Sequence, residues 1–234
     1  MEIVRHHKTA LLFGATGLIG GHCLDLLLEH SAYKKVAVFS RRPLGREHPR
    51  LEEHIIDFKR LKEYGELIRG NDLFSCLGTT MAKAGSKEAF YEVDYTYAFE
   101  SARMAAENGV GQVLLVSSLG ADRDSLFYYS RVKGALEDAL KSLPFWAHHI
   151  FQPSILLGDR QESRWFESLA GRFSLGFDRL TGGELLGKYR PVDAEIVAKA
   201  MLVAAQHLEP GLHIYPSDMI HDLAQEGETG VVKG

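Results

Sequence analysis

The sequence is short of the features that mark secreted, metal-binding and membrane proteins. Its 234 residues include two cysteines, Cys23 and Cys76, which sit in apolar segments without metal-ligand spacing. Free thiols in such segments pack as small hydrophobic groups. No apolar run approaches the roughly 20 residues of a membrane-crossing helix, and residues 1–7 lack the apolar stretch of a signal peptide. We therefore expect a cytoplasmic protein without stable membrane insertion.

Strong charge of one sign is also missing. The chain has 27 basic and 31 acidic residues, so its formal charge is −4, and this gives no general attraction to nucleic acid or to an anionic membrane. The 11 histidines form no ligand set with cysteine or acidic residues at a known spacing, so no metal is expected. The expected partner is a small-molecule substrate, and the chain is expected to be a monomer or a homodimer.

Short β-branched or aromatic runs alternate along the chain with longer segments of helical periodicity, which predicts an α/β fold with a parallel sheet. The pattern favours one Rossmann-type doubly wound domain over residues 1–234, to which 153–224 contribute the substrate-binding portion. The polar tail from Gln225 is expected to fray. Strands are predicted at 8–14, 34–40, 53–57, 72–77, 112–118 and 146–152, and helices at 17–30, 86–108 and 125–142.

A glycine-rich turn joins the first predicted strand to the first predicted helix. It reads Gly14-Ala15-Thr16-Gly17-Leu18-Ile19-Gly20, in which Gly14 permits a sharp turn, Gly17 lets the backbone approach a pyrophosphate, and Gly20 lets the helix lie close to the strand. The spacing is GxxGxxG and not GxGxxG. A tight turn without a ligand is the alternative, but the strand-turn-helix context favours a dinucleotide loop that includes Thr16, Leu18 and Ile19.

The end of the second predicted strand bears on the choice of coenzyme. An NAD enzyme places an acidic residue there to bind ribose hydroxyls, whereas this chain has Arg41 and Arg42 after Ser40. Guanidinium groups bind a phosphate through two parallel hydrogen bonds, and a carboxylate would repel it. The sequence therefore predicts NADP(H), with a solvated surface pair of arginines as the alternative.

A second constellation indicates proton transfer. Ser117 and Ser118 end the fifth predicted strand, and Tyr129 and Lys133 follow four residues apart on one helix face. A phenol has a pKa of about 10, which a neighbouring ammonium lowers, so such a tyrosine can give or take a proton at a carbonyl or alcohol oxygen. A tyrosine packed beside a solvated lysine is the alternative, but the serine-bearing strand before the helix favours catalysis by Ser118, Tyr129 and Lys133.

With these residues the chain resembles the short-chain dehydrogenase/reductase superfamily of extended or atypical type, and more narrowly the Tat-interacting-protein oxidoreductase family. The resemblance covers about residues 9–205. Four segments carry the narrower likeness: 74–80 (FSCLGTT) with 83–85 (KAG), 117–122 (SSLGAD), 132–134 (VKG) and 159–164 (DRQESR).

The resemblance implies further coenzyme contacts. It assigns Asp57 to the adenine, Leu77, Gly78 and Thr79 to the adenosine ribose, and Pro153 and Ser154 to the nicotinamide; Ser117, Tyr129 and Lys133 also belong to the implied coenzyme site. One departure is Asp94, where many superfamily members have an asparagine that organises a proton relay with the catalytic lysine. This departure puts the relay in doubt, though not the fold.

Two functions remain open at this level. The first is an NADPH-dependent oxidoreductase that acts on a carbonyl or alcohol, and the second is an NADP(H)-binding regulatory or interaction protein with little turnover. The intact set of Ser118, Tyr129 and Lys133 favours the enzyme. The aromatic residues Trp165, Phe166, Phe173 and Phe177 line a substrate pocket or pack in the core, and the segment 159–164 contacts substrate or anchors a loop. Nothing in these residues identifies the substrate.

Overall fold

The computed structural model describes residues 5–154, 156–157 and 190–229. The strands in these ranges are β1 Lys8–Phe13, β2 Tyr33–Ser40, β3 Leu51–Ile55, β4 Asp72–Ser75, β5 Gln112–Val116, β6 Ala147–Gln152, β7 Leu156–Leu157, β8 Val192–Asp193 and β9 Gly211–Pro216. The α-helices are α1 Leu18–Glu29, α2 Met81–Ala84, α3 Lys87–Tyr91, α4 Ala98–Glu107, α5 Tyr128–Lys141, α6 Ala194–His207 and α7 Ser217–Thr229. A 3₁₀ helix spans Phe58–Leu67, and a π-helical segment, Glu92–Tyr97, joins α3 to α4.

Seven strands form one parallel sheet in the order β3-β2-β1-β4-β5-β6-β9, and β7 pairs with β8 separately. Helices cover both faces. Ala10 and Leu12 of β1 point into a core built with α1 and α6, whereas Leu11 and Phe13 point into a core built with α4 and α5. This alternation of side chains between two buried faces explains why the strands read as continuous apolar runs.

The chain leaves β1 toward β2 and β3 and leaves β4 in the opposite direction toward β5 and β6. Phe13 at the end of β1 lies beside Ser75 at the end of β4, so a crevice opens between the two connections. Ligands of open α/β sheets bind outside the carboxyl ends of the strands at such a switch point. The topology confirms the predicted Rossmann-type doubly wound sheet and makes this crevice the candidate binding site.

All six predicted strands and all three predicted helices are present, with boundaries moved by at most three residues. Helix α4 ends at Asn108, its C-cap, and Gly109 follows with φ +80°, which is a common way for a helix to end. The chain also forms β9, α6 and α7, which were not predicted. Because α7 continues to Thr229, the expected fraying from Gln225 is wrong for residues 225–229. None of the helices in the described ranges is both long and apolar enough to cross a bilayer.

Candidate coenzyme and catalytic site

The turn after β1 has the conformation that its glycines predict. Gly14 has φ +88°, and a Cβ there would lie 2.3 Å from the carbonyl oxygen of Cys76. A Cβ on Gly20 would lie 2.1 Å from the carbonyl oxygen of Gly14. Contacts this short are impossible for a side chain, so the first and third glycines are required by the packing of β1, α1 and β4 themselves.

Gly17 is less tightly constrained by the protein's own backbone than Gly14 and Gly20 are. It is the N-cap of α1 with φ −85°, and a Cβ on it would lie 3.3 Å from its nearest neighbour, the Gly14 carbonyl oxygen. No side chain caps the first turn of α1 and no acidic residue lies in it. Thr16 and Gly17 are exposed. The turn therefore offers backbone N–H groups and a positive helix end to an anion.

Two thiols lie behind this turn. Cys23 of α1 is buried in the core and Cys76 is half-buried, and their Sγ atoms are 3.9 Å apart. The hydrogen bond from Cys76 and burial raise the pKa of the Cys23 thiol well above its usual range. Cys23 therefore packs as a neutral hydrophobic group, as its apolar segment predicts.

Arg41 and Arg42 follow directly after β2, at the carboxyl edge of the sheet, and both are exposed. The Ser40 hydroxyl donates a hydrogen bond to the Arg42 carbonyl oxygen at 2.8 Å and fixes the chain there. Within the described ranges neither guanidinium has a carboxylate partner at ion-pair distance. As far as the described residues go, two positive side chains thus lie at the edge of the crevice without a carboxylate at ion-pair distance.

Tyr97 interacts electrostatically with both Arg41 and Asp57. Asp57 caps the 3₁₀ helix by accepting a hydrogen bond from the Lys59 N–H at 2.9 Å, and it is exposed. Burial and the nearby carboxylates of Glu92 and Asp57 raise the pKa of Tyr97 to about 12, against the opposing charge of Arg41. Side chains from three separate connections therefore meet beside the end of β2.

The catalytic candidates occupy β5, α5 and their connection. Tyr129 lies in the first turn of α5, half-buried, with its ring centroid 5.6 Å from that of the buried Phe90. Lys133, one turn later, is 4% exposed. Its Nζ lies 2.8 Å from Oδ1 of Asp94, which is completely buried. Tyr129 and Lys133 therefore share one face of α5, as their spacing predicts.

Backbone hydrogen bonds bring the connections after β5 and β6 together. The Leu119 N–H donates to the Pro153 carbonyl oxygen at 3.0 Å, and the Asp122 N–H donates to the Ser130 carbonyl oxygen at 3.1 Å. Ser118 lies inside this junction, half-buried, with its hydroxyl 3.3 Å from the Leu119 carbonyl oxygen. The fold thus gathers Ser118, Pro153 and the start of α5 at one corner of the sheet.

Ser154 is tied to the last part of the chain. Its N–H donates to the Ser217 hydroxyl at 2.8 Å, and its own hydroxyl donates to the Arg190 carbonyl oxygen at 2.7 Å. Ser217 begins α7. The segment predicted to lie beside the nicotinamide is therefore fixed to the region predicted to bind substrate.

A hydrogen-bonded group beneath the site was not predicted from the sequence. Glu137, which is 4% exposed, accepts a hydrogen bond from the Ser117 hydroxyl and two from the Gln152 amide at 2.9 and 3.1 Å. Burial raises the pKa of Glu137. The signal that could have revealed it is its position four residues after Lys133, on the same helix face. The Ser117 hydroxyl is thus already used inside the protein.

The loop after β4 carries the positions assigned to the ribose. Leu77 and Thr79 are half-buried and Gly78 is exposed. The Thr79 N–H donates to Oδ2 of Asp94 at 2.8 Å. Asp94, noted in the sequence only as a departure from the usual asparagine, therefore contacts both this loop and the candidate catalytic lysine. The segment 159–164 and the aromatic residues Trp165, Phe166, Phe173 and Phe177 lie outside the described residues.

Comparison with known proteins places the chain in a family. No protein-family model matches the chain. It is 39% identical over 171 residues to Protein HTATIP2 of Rattus norvegicus, covering 71% of this chain and 70% of that protein. It is 33% identical over 204 residues to Protein FMP52, mitochondrial, of Candida albicans, covering 85% of this chain and 88% of that protein.

Among solved structures, a short-chain dehydrogenase/reductase superfamily protein from Agrobacterium tumefaciens, with bound NAD, superposes with a TM-score of 0.64 at 16% identity. The match covers 89% of this chain and 77% of that chain. At this identity the likeness shows the fold alone. By its sequence relatives and its fold, this chain belongs to the HTATIP2 and FMP52 family, with the fold of the short-chain dehydrogenase/reductase superfamily.

Proposed function

We propose that this protein is an NADPH-dependent oxidoreductase that acts on the carbonyl or alcohol group of a small substrate. The observation that carries the proposal is a buried Lys133 one helical turn after the half-buried Tyr129, at the carboxyl edge of the sheet. Burying an ammonium costs free energy unless it is paired. The alternative interpretation of this spacing, a packed tyrosine beside a solvated lysine, predicts an exposed lysine, whereas Lys133 is buried.

A nicotinamide dinucleotide fits the residues of the crevice. A pyrophosphate suits the turn before α1, which has a small residue at Gly17, an exposed Thr16 and a first helical turn without a side-chain cap. Leu18 and Ile19 begin that helix. In the proposed site, Leu77, Gly78 and Thr79 lie along the adenosine ribose, Asp57 lies near the adenine, and Ser117, Pro153 and Ser154 lie near the nicotinamide.

The exposed Arg41 and Arg42 support NADP(H) over NAD(H). They follow β2 without a carboxylate partner in the described part of the chain, so a 2′-phosphate can take both guanidinium groups as hydrogen-bond donors. An acidic residue that would hold the two ribose hydroxyls of NAD is absent from this position. The acidic residue after the neighbouring strand β3, Asp57, already uses its carboxylate to cap the 3₁₀ helix and does not replace the missing acid after β2.

When bound, the coenzyme supplies or accepts a hydride. Tyr129 is the proposed general acid in reduction, giving its phenolic proton to the oxygen of the carbonyl. Ser118 donates a hydrogen bond to the same oxygen and orients it. Lys133 stabilises the phenolate that remains on Tyr129, which makes the phenol a better proton donor. Its ammonium also donates hydrogen bonds to the nicotinamide ribose.

The proposal treats residues 1–234 as one domain in which 153–224 contribute the substrate-binding portion. The link from Ser154 to Ser217 and Arg190 supports this arrangement, because it joins the nicotinamide side of the crevice to later parts of the chain. We also propose that the protein works in the cytoplasm as a monomer or homodimer. Cell fractionation tests the location, and the mitochondrial designation of the FMP52 relative gives the competing result.

The test of the proposed reaction is Tyr129→Phe, which removes one hydroxyl and keeps the ring against Phe90. A panel of aldehydes, ketones and quinones is assayed by NADPH absorbance. For the best substrate, we expect reduction to fall by at least about 100-fold, the contribution of a positioned proton donor. Coenzyme affinity, followed by NADPH fluorescence, should barely change.

Tyr128→Phe is the matched control, because Tyr128 is the preceding residue and its hydroxyl donates to the Lys87 carbonyl oxygen, outside the proposed chemistry. This control should keep the parent rate. Equal rates for Tyr129→Phe and the parent would remove the general-acid assignment. Tight NADPH binding with no turnover of any panel member would instead favour a coenzyme-binding regulatory protein.

A further inference from the structure

Asp94 joins two parts of the proposed site through one carboxylate. Its Oδ2 accepts a hydrogen bond from the Thr79 N–H at 2.8 Å, and its Oδ1 lies 2.8 Å from the Lys133 ammonium nitrogen. Asp94 is completely buried and sits in the π-helical segment between α3 and α4. Such segments are rare and frequently found at functional sites.

The pair of Asp94 and Lys133 lies directly beneath the loop that is assigned to the coenzyme. A Cβ on Gly78 would lie 3.4 Å from Oδ1 of Asp94 and 3.6 Å from Nζ of Lys133. Gly78 itself is exposed. Both charged side chains are buried, and the backbone at Gly78 separates them from the crevice.

We propose that Asp94 is a positioning residue that acts through Lys133, holding the ammonium and the Thr79 backbone in one fixed arrangement beneath the coenzyme loop. This inference rests on the proposed function, since it concerns the lysine that serves Tyr129. An ammonium has three donors, and in the described part of the chain Asp94 is the partner found within hydrogen-bonding distance. The other two donors remain for Tyr129 and the ribose.

The charges around Lys133 support this role. Burial lowers the pKa of Lys133, but the carboxylates of Asp94 and Glu137 and the phenol of Tyr129 oppose burial, and the net effect is a raised pKa. Asp94 comes from the π-helical segment, whereas Tyr129 and Glu137 lie on α5 with Lys133. Asp94 is the group in direct contact, so its negative charge is the main reason that a buried lysine stays protonated.

Asp94→Asn separates the two contacts of this residue. An asparagine oxygen can still accept from the Thr79 N–H, but the charge that pairs with Lys133 is lost. Protein labelled with ¹³C at lysine Cε is titrated by NMR, and the Lys133 signal is assigned by its absence from Lys133→Met. In the parent, Lys133 should titrate above its ordinary range. In Asp94→Asn its proton affinity should fall by at least about tenfold, or one pH unit.

Glu137→Gln is the matched control, because it removes a carboxylate that faces Lys133 without touching it. It should lower the proton affinity of Lys133 by less than Asp94→Asn does. If Asp94→Asn leaves the titration of Lys133 unchanged, Asp94 only caps the Thr79 N–H and the inference is wrong. This readout needs no substrate, so it stands apart from the rate of Tyr129→Phe, whose failure would overturn the proposed reaction instead.

If Asp94→Asn folds poorly, the double variant Asp94→Asn/Lys133→Met is compared with it, because the double variant leaves neither charge of this pair buried alone. If the double variant regains the cooperative thermal transition that Asp94→Asn has lost, the two residues act as a pair and the inference is supported. If the double variant also fails to fold, Asp94 has a structural role that does not pass through Lys133, and the inference falls.

Discussion

The part of the chain that the structure describes contains two buried lysine–aspartate pairs, at opposite ends of the same sheet. Lys8 and Asp72 begin β1 and β4, with Nζ 2.5 Å from Oδ2. Lys133 and Asp94 lie beyond the carboxyl ends of the strands, at 2.8 Å. All four side chains are almost completely buried. The two pairs therefore have the same residue types and the same burial, so any difference in role must come from their surroundings.

The pair at the amino end has several hydrogen-bond partners within the protein. Asp72 accepts from the Tyr33 hydroxyl at 2.6 Å and from the Gln112 amide at 3.0 Å, and Lys8 also donates to the Ala205 carbonyl oxygen at 3.0 Å. A buried charge pair is tolerated when its remaining donors and acceptors are satisfied. This network ties β1, β2, β4, β5 and α6 together, so the hydrogen bonds of the pair are spent on joining these elements.

The pair at the carboxyl end is less complete. Lys133 has Asp94 as its near partner in the described ranges, and the pair lies under the exposed Gly78. In the proposed site, the lysine donors without a partner in those ranges serve Tyr129 and the coenzyme. In the described part of the chain, the number of hydrogen-bond partners, more than burial or charge, distinguishes the pair proposed to serve the coenzyme site from the pair at the amino end.

The largest effect expected from this comparison is the loss of stability in Asp72→Ala. The change leaves the Lys8 ammonium buried without a counter-charge and removes the acceptor of Tyr33 and Gln112. We expect the free energy of unfolding in urea to fall by about 3–5 kcal/mol. The folded fraction should still bind NADPH as the parent does.

Glu63→Ala is the control for Asp72→Ala, because it breaks the exposed ion pair with Arg60. Its cost should stay below about 1 kcal/mol. If Asp72→Ala costs no more than this control, the network at the amino end is not structural and the comparison of the two pairs fails.

The sequence predicts the parts of the fold that local pattern controls. The six strands from Lys8 to Gln152 and the glycine turn follow from apolar runs and their boundaries. β9 is missed because GLHIYP is short and lies between a glycine and a proline. The π-helical segment has no signature of its own, since EVDYTY reads as part of one helix.

The candidate site divides in the same way. Tyr129 and Lys133 are predictable because their place on one face of α5 depends on helix spacing. The partnership of Asp94 with Lys133 joins positions far apart in the chain and depends on how α5 packs against the π-helical segment. The link from Ser117 to Glu137 and Gln152 likewise needs the tertiary fold, because each residue comes from a different element.

The next prediction concerns the loss of stability at acid pH that His149 causes. This residue extends the network at the amino end through Gln112. Its Nε2 lies 3.2 Å from the Gln112 side-chain oxygen and its Nδ1 lies 3.1 Å from the Tyr215 hydroxyl. Burial, helped by the positive charges around it, lowers the pKa of His149 from 6.5 to about 3. The unfolded chain therefore binds a proton between these values that the folded chain does not, so stability falls as the pH drops below 6.5.

Between pH 7 and pH 5 this single residue should cost about 2 kcal/mol of unfolding free energy. Urea titrations of the parent and of His149→Gln at both pH values measure the difference. The variant should be less stable at pH 7 but should lose less stability on acidification. The same acid dependence in both proteins would show that other groups control it.

The smallest effect expected is confined to the carboxyl end and leaves stability almost untouched. Arg41→Ala/Arg42→Ala removes two exposed guanidinium groups beside the crevice. If they bind the 2′-phosphate, affinity for NADPH should fall by about 10-fold, or about 1.4 kcal/mol, because charge-assisted hydrogen bonds to one phosphate are lost. Affinity for NADH, which lacks that phosphate, should stay almost constant. Fluorescence titration with each coenzyme gives both values.

The control for this variant is Arg69→Ala/Arg103→Ala, which removes the same formal charge from exposed or partly exposed ion pairs away from the end of β2. It should weaken neither coenzyme appreciably, since screened charges at a distance contribute little at physiological salt. Equal weakening of NADPH and NADH by Arg41→Ala/Arg42→Ala would mean that the arginines act on something common to both coenzymes, such as the pyrophosphate. The preference for NADP(H) would then have no basis in this pair, although the rest of the crevice would still suit a dinucleotide.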